Sequence, residues 1–351
     1  MVSKIIEEDI KRIADNIDPT SKKLSGKTLL ITGGSGFIGR YFVLVIDFLN
    51  KNVLEKPCKL IVVDNFITGS KNFSVENANF NFINHDVRFP LKIDEDVNFI
   101  IHAAGIASPV YYTKFPLETI DVGTIGTRNM LDLAKEKNVE SFMFLSSSEV
   151  YGDPDPNFVP TPETYLGNVN CIGPRACYDE SKRLGETLCM VYFKLFNIPV
   201  KIVRPFNVYG PGIKPDDFRV LPNFIYNALK GNYLPVYGEG NHTRAFCYII
   251  DAVTAFYKIL LSEWKGEVFN VGKQDEEISV IDLAKLVQEI FNNKINIMKS
   301  PVPTEAYASS NPKRRCPDLT KIRKMIGYDA KVDLKYGINR TVQWFKEEYK
   351  M

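Results

Sequence analysis

The chain has 351 residues, enough for two domains or one large one, with 44 basic and 42 acidic residues and a net charge of +2. Hydrophobic residues at 45% and charged residues at 25% are typical of a folded globular protein and exclude a disordered chain. This balance gives no reason to expect nucleic acid as a partner, and no apolar stretch is long enough to predict a membrane span. Six scattered cysteines and three distant histidines favour a soluble cytoplasmic protein without a disulfide framework or a metal site.

The N-terminal segment carries a helical pattern. Residues 3–17 place four isoleucines on one stripe at helical spacing, and Asp18-Pro19 ends the pattern. We predict an amphipathic helix within residues 1–25, whose apolar stripe packs either on its own domain or on a second subunit.

From Lys27 to Gly210, short β-branched runs alternate with helical stretches. LLITG, NFIIHAAG and SFMFLS are such runs, and a helical pattern follows each of them. Short apolar runs that are each followed by a helix indicate a parallel sheet covered on both faces. We predict an α/β fold, a Rossmann-type doubly wound parallel sheet formed by residues 26–210 and 247–272.

After Gly210, proline and glycine become frequent and the predicted elements shorten. We predict that residues 211–246 and 273–351 form a smaller C-terminal substrate-binding lobe over the carboxyl ends of the strands, where ligands bind in open α/β sheets. A basic cluster at residues 313–324 contains Asp318, so a solvated face or a local phosphate contact is favoured over a nucleic-acid surface.

A glycine motif follows the first predicted strand and opens a helix. Gly33, Gly36 and Gly39 have the spacing G-x-x-G-x-x-G, in which glycines let the backbone turn tightly and approach a pyrophosphate at a helix N-terminus. Asp64 ends the second strand, where a carboxylate accepts hydrogen bonds from the adenosine ribose and repels a 2′-phosphate. The pattern predicts a dinucleotide site that prefers NAD to NADP.

A second motif predicts acid–base chemistry. Tyr178 and Lys182 stand four residues apart in a predicted helix and therefore share one face. We expect the ammonium group of Lys182 to lower the pKa of the phenol and to hold the nicotinamide ribose, so that Tyr178 acts as a general base on a sugar hydroxyl. Upstream, a strand ends in a run of serines that includes Ser147 and is followed by Glu149, and these hydroxyls are placed to hydrogen-bond the same oxygen.

Several segments resemble the extended short-chain dehydrogenase/reductase family, which modifies nucleotide sugars, and within it the UDP-glucuronate decarboxylase (UDP-xylose synthase) branch. ITGGSGFIG, YDESK and RPFNVYGPG are typical of the wider family, whereas ASPVYY and IGPRACYDESKR are more specific to the decarboxylase branch. The resemblance covers nearly the whole chain from about Lys27. It implies NAD-dependent chemistry through a 4-keto sugar, with decarboxylation of UDP-glucuronate to UDP-xylose as the favoured reaction and NAD regenerated in each turnover.

The resemblance also implies roles for individual residues. Tyr178 would take the proton of the sugar C4 hydroxyl while NAD accepts the hydride, with Lys182 and Ser147 completing the site. Glu149 and Arg244 would act after carbon dioxide is lost, when Tyr178 and Ser147 stabilise an enolate. The implied cofactor contacts are Gly33, Gly36, Phe37, Ile38, Gly39, Asp64, Asn65, Asp86, Val87, Ala103, Ala104, Tyr178 and Lys182. The implied substrate contacts are Tyr111, Asn207, Arg219, Tyr237, Arg244 and Arg315.

Departures from the family pattern leave the substrate open. They surround the predicted sugar site, at Ser147, Leu166, Asn168, Cys171, Asn311 and Cys316. A 4,6-dehydratase of a dTDP-, UDP-, CDP- or GDP-hexose is the main alternative. The dTDP-glucose type uses an adjacent Asp-Glu pair, so Ser148 before Glu149 argues against that type, although the GDP-mannose type shows Ser-Glu. A nucleotide-sugar epimerase and a non-catalytic NAD-sensing protein are further alternatives.

The predicted partners are a nucleotide sugar and a second subunit. The guanidinium groups of Arg219, Arg244 and Arg315 suit pyrophosphate oxygens, and a UDP-sugar is favoured. The resemblance implies a homodimer in which helices near residues 117–136 and 178–197 of each subunit form a four-helix interface. Tyr111 and its neighbour Tyr112 are expected either to close over the sugar or to pack in an aromatic core.

Overall fold

The N-terminal helix packs on the body of its own chain. The computed structural model describes residues 2–71, 73, 75–217, 219–301 and 312–350, so the departure at Asn311 lies outside the described residues. Helix α1 (Lys4–Ile17) begins at Ser3, whose hydroxyl accepts a hydrogen bond from the backbone N–H of Ile6. Its isoleucine stripe is buried against two helices that flank the central sheet. Of the two interpretations of this stripe, packing on its own domain is the one observed.

Strands and helices alternate along the chain. The strands of the described residues are β1 (Thr28–Thr32), β2 (Lys59–Asp64), β3 (Phe80–Asn84), β4 (Phe99–His102), β5 (Ser141–Leu145), β6 (Val200–Pro205), β7 (Val208–Tyr209), β8 (Leu234–Tyr237), β9 (Thr243–Ala245), β10 (Cys247–Tyr248), β11 (Glu267–Val271), β12 (Glu277–Ser279), β13 (Ile297–Ser300) and β14 (Arg314–Arg315). The helices after α1 are α2 (Phe37–Asn52), α3 (Pro109–Lys114), α4 (Pro116–Asp121), α5 (Thr127–Glu136), α6 (Ala176–Phe196), α7 (Val220–Leu229), α8 (Ile249–Leu260), α9 (Val280–Ile290), α10 (Thr320–Ile326) and α11 (Leu334–Tyr349). A π-helical turn over Val122–Gly126 joins α4 to α5.

Seven strands form a parallel sheet in the order β3-β2-β1-β4-β5-β6-β11, which confirms the predicted Rossmann-type doubly wound fold. Strands β1, β4 and β5 are buried along their whole length, as expected when helices cover both faces of a sheet. The strand order reverses direction between β1 and β4, so the carboxyl ends of these strands open a crevice at that point.

The segments predicted to form the lobe contribute two small sheets. Strand β9 lies between β12 and β14, and β8 pairs with β13. The register of β14 against β9 places Arg315 beside Arg244. The boundaries between the Rossmann-type region and the smaller lobe stay a prediction.

No helix in the described part of the chain is long and apolar enough to cross a membrane. None of the His, Cys, Asp and Glu side chains in that part form a group of three or more that could hold a metal ion.

Candidate active site

A cleft of about 900 Å³ lies at the carboxyl edge of the sheet, with the lobe forming its other wall. Every residue predicted to contact the cofactor or the substrate, or to take part in catalysis, lines this cleft, with the exception of Asp86. Residues as distant in the chain as Gly33 and Arg315 therefore meet in one concave site. Its size is that of a site for a cofactor or another small molecule.

The glycine motif forms the floor of one half of the cleft. Gly33 adopts a φ of +71°, and a Cβ at this position would lie 2.8 Å from the carbonyl oxygen of Ala103. A Cβ on Gly39 would lie 2.0 Å from the carbonyl oxygen of Gly33, so the turn closes only with glycine at both places. Helix α2 begins directly after Gly36 without a side-chain cap, which leaves N–H groups of its first turn facing the cleft. These residues fit the pyrophosphate of a dinucleotide.

Asp64 stands at the end of β2, beside the glycine turn. Its Oδ2 accepts a hydrogen bond from the backbone N–H of Ser35 at 2.9 Å, and its Oδ1 accepts one from the backbone N–H of Phe66 at 2.8 Å. This fixes a carboxylate where the adenosine ribose of a dinucleotide bound on the glycine turn would lie. Asp86 itself is not among the residues that line the cleft, although its neighbours His85 and Val87 are, so its contact with the cofactor stays a prediction. Its Oδ2 accepts a hydrogen bond from the Asn65 side chain at 3.1 Å.

Helix α6 brings the predicted acid–base pair to the cleft. Burial raises the pKa of Tyr178 to about 12, and a hydrogen bond from Ser147 opposes that rise. Burial also lowers the pKa of Lys182 to about 8; its ammonium donates to the carbonyl oxygen of Leu145 at 2.7 Å and lies 5.9 Å from the Tyr178 ring centroid. The sequence predicts that Lys182 lowers the pKa of the phenol, but in the structure the desolvation of Tyr178 outweighs any such effect.

The ring of Tyr112 stacks on the ring of Tyr178. The two rings are stacked with centroids 5.6 Å apart and an interplanar angle of 14°. Both tyrosines are buried, and Tyr111 lines the cleft next to them. The aromatic-core interpretation therefore describes Tyr112, whereas Tyr111 keeps the position expected of a residue that closes over a sugar.

Two arginines converge on Glu149, which lies close enough to Tyr178 to raise the pKa of its phenol. Arg315 of β14 donates from Nη2 to Glu149 Oε2 at 2.6 Å, and Arg175, which precedes α6, donates to the same oxygen. Burial alone would raise the pKa of Glu149, but Arg175, Arg315 and Arg244 lower it to about 2. Glu149 is therefore an anion within a net positive cluster, which suits a negatively charged group on a substrate.

The other predicted substrate residues line the same cleft. Arg219 forms an ion pair with Asp217. Asn207 adopts a φ of 42° and donates from its amide to the carbonyl oxygen of Ala245 at 2.9 Å. Tyr237 of β8 and Arg244 of β9 complete the lobe wall.

The basic cluster at residues 313–324 is neutralised within the chain. Arg314 pairs with Glu277 at 2.7 Å, and Lys321 pairs with Glu267 at 2.8 Å. Within this cluster, Arg315 is the residue that lines the cleft. The cluster thus supplies one guanidinium to the site, which contacts Glu149, one of the predicted catalytic residues.

Arg175 is a site residue that the sequence analysis missed. It occupies the position immediately before α6, three residues before Tyr178, and therefore shares the helix face of Tyr178 and Lys182. That spacing was available as a signal. His242 is a further cleft residue that the motifs did not indicate, because a lone histidine in a loop carries no pattern.

Comparison with known proteins bears on this site. The chain matches the family described as NAD dependent epimerase/dehydratase over residues 29–272. It is 40% identical to the UDP-glucuronic acid decarboxylase 1 of Danio rerio over 326 residues, which cover 92% of this chain and 73% of the relative. It is 42% identical to the UDP-glucuronic acid decarboxylase 5 of Arabidopsis thaliana over 318 residues, 90% of this chain and 88% of the relative.

A solved structure with a similar fold is the UDP-glucuronic acid 4-epimerase of Bacillus cereus in complex with UDP-4-deoxy-4-fluoro-glucuronic acid and NAD. It superposes with a TM-score of 0.78 at 26% identity and covers 92% of this chain and 100% of its own. The family match extends over more than half of the chain, and the relatives cover nearly all of it. The resemblance seen in the motifs is confirmed, and the chain belongs to the NAD dependent epimerase/dehydratase family, whose cofactor is NAD.

Proposed function

We propose that the protein decarboxylates UDP-glucuronate to UDP-xylose through a 4-keto intermediate, with NAD regenerated in each turnover. The observation that carries this proposal is the meeting of Arg175, Arg244 and Arg315 around Glu149, close to Tyr178. A positive pocket beside the oxidising residues is what a sugar acid requires. The relatives named UDP-glucuronic acid decarboxylase support the same substrate.

The first step is oxidation at C4 of the sugar. NAD, when bound in its oxidised form, supplies the hydride acceptor and a positive charge near the phenol. Tyr178 takes the proton of the C4 hydroxyl, and the Ser147 hydroxyl holds the same oxygen by a hydrogen bond. Lys182 adds the positive charge that a buried phenolate needs, because burial otherwise keeps the phenol protonated.

The second step is loss of carbon dioxide. Once C4 is a ketone, the carboxylate on C5 is β to it, so the C5–carboxyl bond breaks and its electron pair forms an enolate. Tyr178, now protonated, and Ser147 donate hydrogen bonds to the enolate oxygen. Glu149 is an anion in this site and cannot itself donate a proton, so we assign it the orientation of a water whose proton goes to C5. The hydroxide left by that water takes a proton from solvent. When the hydride returns to C4, Tyr178 gives its proton back to the C4 oxygen, and the product is the UDP-pentose.

Two other reactions use the same first step. A 4,6-dehydratase of the dTDP-glucose type uses an Asp-Glu pair to supply the acid for the C6 hydroxyl, and the residue before Glu149 is the buried Ser148, which is not an acid. The GDP-mannose type shows Ser-Glu at this point, so the product assay below decides against that type. A C4 epimerase of UDP-glucuronate would also use the positive pocket, and the similar Bacillus cereus structure, titled a UDP-glucuronic acid 4-epimerase, makes it the second candidate. The two candidates differ in whether the sugar keeps its carboxylate.

The experiment that tests the proposal is incubation of the protein and NAD with UDP-glucuronate, UDP-glucose, dTDP-glucose and GDP-mannose in separate reactions, followed by mass analysis of the products. We expect UDP-glucuronate to lose the mass of carbon dioxide and the hexoses to stay unchanged. Loss of water from a hexose with UDP-glucuronate untouched would contradict the proposal. A UDP-uronate of unchanged mass but inverted C4 would favour the epimerase.

We also propose a homodimer built on the predicted four-helix interface. The exposed apolar side chains that support it lie on α4, the π-helical turn and α6, at Leu117, Ile120, Ile125, Leu184, Val191 and Leu195. Leu117 is 72% exposed and Leu195 is 69% exposed, values unusual for leucine on a surface that stays in water. Light scattering should find a dimer for the wild type and a monomer for Leu117→Lys with Leu195→Lys, while Met298→Lys on β13 stays dimeric. A monomeric wild type would contradict the proposal.

Cytoplasmic location also stays a prediction, and cell fractionation tests it.

A further inference from the structure

Asp179 is a buried acid directly behind the arginine cluster. It follows Tyr178 in α6, is 7% exposed and does not line the cleft. Its Oδ1 accepts no hydrogen bond from any residue that the structure describes, and its Oδ2 lies 3.9 Å from Arg175 Nε. A buried carboxylate with so few partners is costly to keep ionised.

Charged and titratable groups from several elements face this carboxyl group. They are Arg175 just before α6, Cys177, Tyr178 and Glu180 of the same helix, Tyr112 of α3, Glu149 after β5 and Arg315 of β14. Burial and the negative charge of Glu149 together raise the pKa of Asp179 to about 7, against the opposing effect of Arg175 and Arg315. Asp179 is therefore an acid that exchanges its proton near neutral pH.

The charge of the whole cluster depends on that proton. Three arginines, Arg175, Arg244 and Arg315, surround the anionic Glu149. With Asp179 protonated the cluster carries two net positive charges, and with Asp179 ionised it carries one. Because the site is shielded from water, that difference acts strongly on an anion bound beside it.

We propose that Asp179 is a positioning and specificity-determining residue that sets, by holding or releasing one proton, the positive charge that Arg175 and Arg315 present to the acid group of the sugar. This inference rests on the proposed function, since it takes a sugar carboxylate as the anion. Asp179 acts through Arg175 and touches neither substrate nor cofactor.

A thermodynamic consequence distinguishes this role from a purely structural one. A sugar carboxylate placed beside the cluster makes Asp179 hold its proton more tightly, so binding of a sugar acid takes up a proton from solvent. At pH 7, where Asp179 is about half protonated in the free protein, the uptake is about half a proton per site. The affinity for the acid sugar therefore falls by about threefold, and at most tenfold, per pH unit above neutrality. A neutral sugar on the same nucleotide causes no such uptake.

The test is titration calorimetry of the NAD-loaded Tyr178→Phe protein, which removes turnover, in buffers of different ionisation enthalpy. UDP-glucuronate and UDP-glucose are compared at pH 7, because protons taken up in response to the shared nucleotide cancel in that comparison. The Asp179→Asn variant then separates Asp179 from other titratable cleft residues such as His242 and Lys182. We expect the excess of about half a proton for UDP-glucuronate to disappear in Asp179→Asn and to remain in Glu180→Gln, a variant of the neighbouring, more exposed acid.

Each outcome decides the inference. Equal proton uptake with both sugars, or an excess that persists in Asp179→Asn, would overturn the role of Asp179 while leaving the proposed function intact. Failure of UDP-glucuronate to bind at all would overturn the proposed function together with this inference. If Asp179→Asn does not fold, the ¹³C NMR signal of the labelled Asp179 carboxyl group in the Tyr178→Phe protein decides instead. It should move toward its protonated position at pH 7 when UDP-glucuronate binds and not when UDP-glucose binds, and the same response to both sugars would overturn the role of Asp179.

Discussion

Two parts of the cleft differ in the chemical groups that they present. The wall formed by the sheet presents backbone groups and a few side chains fixed by regular elements: the glycine turn after β1, Asp64 at the end of β2, and Tyr178 and Lys182 on α6. The part of the cleft where the lobe meets the sheet presents charged side chains from separate segments. There Arg315 from β14 and Arg244 from β9 meet Glu149 after β5, and we call this part the arginine end.

The two parts suit different tasks, hydride transfer in one and recognition of the sugar's charge in the other. The sheet wall suits the removal and return of a hydride at a sugar hydroxyl, which epimerases, dehydratases and decarboxylases share. On the proposed function, the arginine end determines which charge the sugar must carry. Substitutions on the sheet wall should therefore stop turnover of any substrate, whereas substitutions at the arginine end should change the discrimination between acid and neutral sugars.

The largest expected effect comes from Tyr178→Phe. Removing the phenolic hydroxyl should lower turnover of UDP-glucuronate by about a thousandfold, since the proton of the C4 hydroxyl loses its acceptor. NAD affinity, measured by calorimetry, should stay within about twofold of the wild type, because the ring and its stacking on Tyr112 are kept. Wild-type turnover in this variant would refute the role of Tyr178.

The second-largest effect on activity is expected for Arg315→Ala, with Arg314→Ala as its control. Loss of the guanidinium beside Glu149 should lower kcat/KM for UDP-glucuronate by about a hundredfold, the size of effect expected when one partner of a buried charge pair is removed. UDP-glucose affinity should change little. Arg314 pairs with Glu277 on a more exposed surface, so Arg314→Ala should cost about threefold or less. Similar losses in both variants would remove the distinction between the two ends of the cleft.

A smaller effect is a pH dependence on the sheet wall. Burial lowers the pKa of Lys182 to about 8 from the ordinary lysine value of 10.5, so its charge is present below pH 8 and is lost as the pH rises through 8. NAD affinity should fall by about tenfold between pH 7 and pH 9. Lys182→Met should bind NAD weakly at both values, and the exposed Lys194→Met should keep the wild-type profile. A flat wild-type profile would contradict the assigned role of Lys182.

The smallest expected effect on activity comes from α1, which is outside both walls. Ile13 is fully buried, so Ile13→Ala should lower the free energy of unfolding by about 2–5 kcal/mol, measured by denaturant titration. Turnover at 25 °C should stay close to that of the wild type. Lys11→Ala on the exposed face of the helix should change neither quantity. A large loss of turnover in a folded Ile13→Ala protein would show that α1 acts on the site.

The sheet wall could be predicted from sequence because local patterns determine it. The G-x-x-G-x-x-G spacing after an apolar run and the four-residue interval of Tyr178 and Lys182 each reflect one turn or one helix face. The edge strand β3, with its sequence FNFIN, was not among the predicted strands, because polar residues interrupt its apolar run and it is only half-buried.

The arginine end could not be predicted in the same way. The contact of Arg315 with Glu149 joins positions that are 166 residues apart in sequence, and no local pattern links them. Arg175 shares a helix face with Tyr178, but no spacing indicates that it reaches Glu149. The raised pKa of Tyr178 could not be predicted from the sequence either. It depends on burial by Tyr112 and other neighbours, which no spacing along α6 encodes.

The most direct test of the central claim uses UDP-glucuronate with ¹³C in its carboxyl group and deuterium on C4. The account predicts one labelled carbon dioxide for each UDP-pentose formed, deuterium retained on C4 of the product, and no build-up of NADH. Labelled carbon that stays in the sugar, or deuterium that leaves C4 while NADH accumulates in step with product, would contradict decarboxylation with internal recycling of NAD.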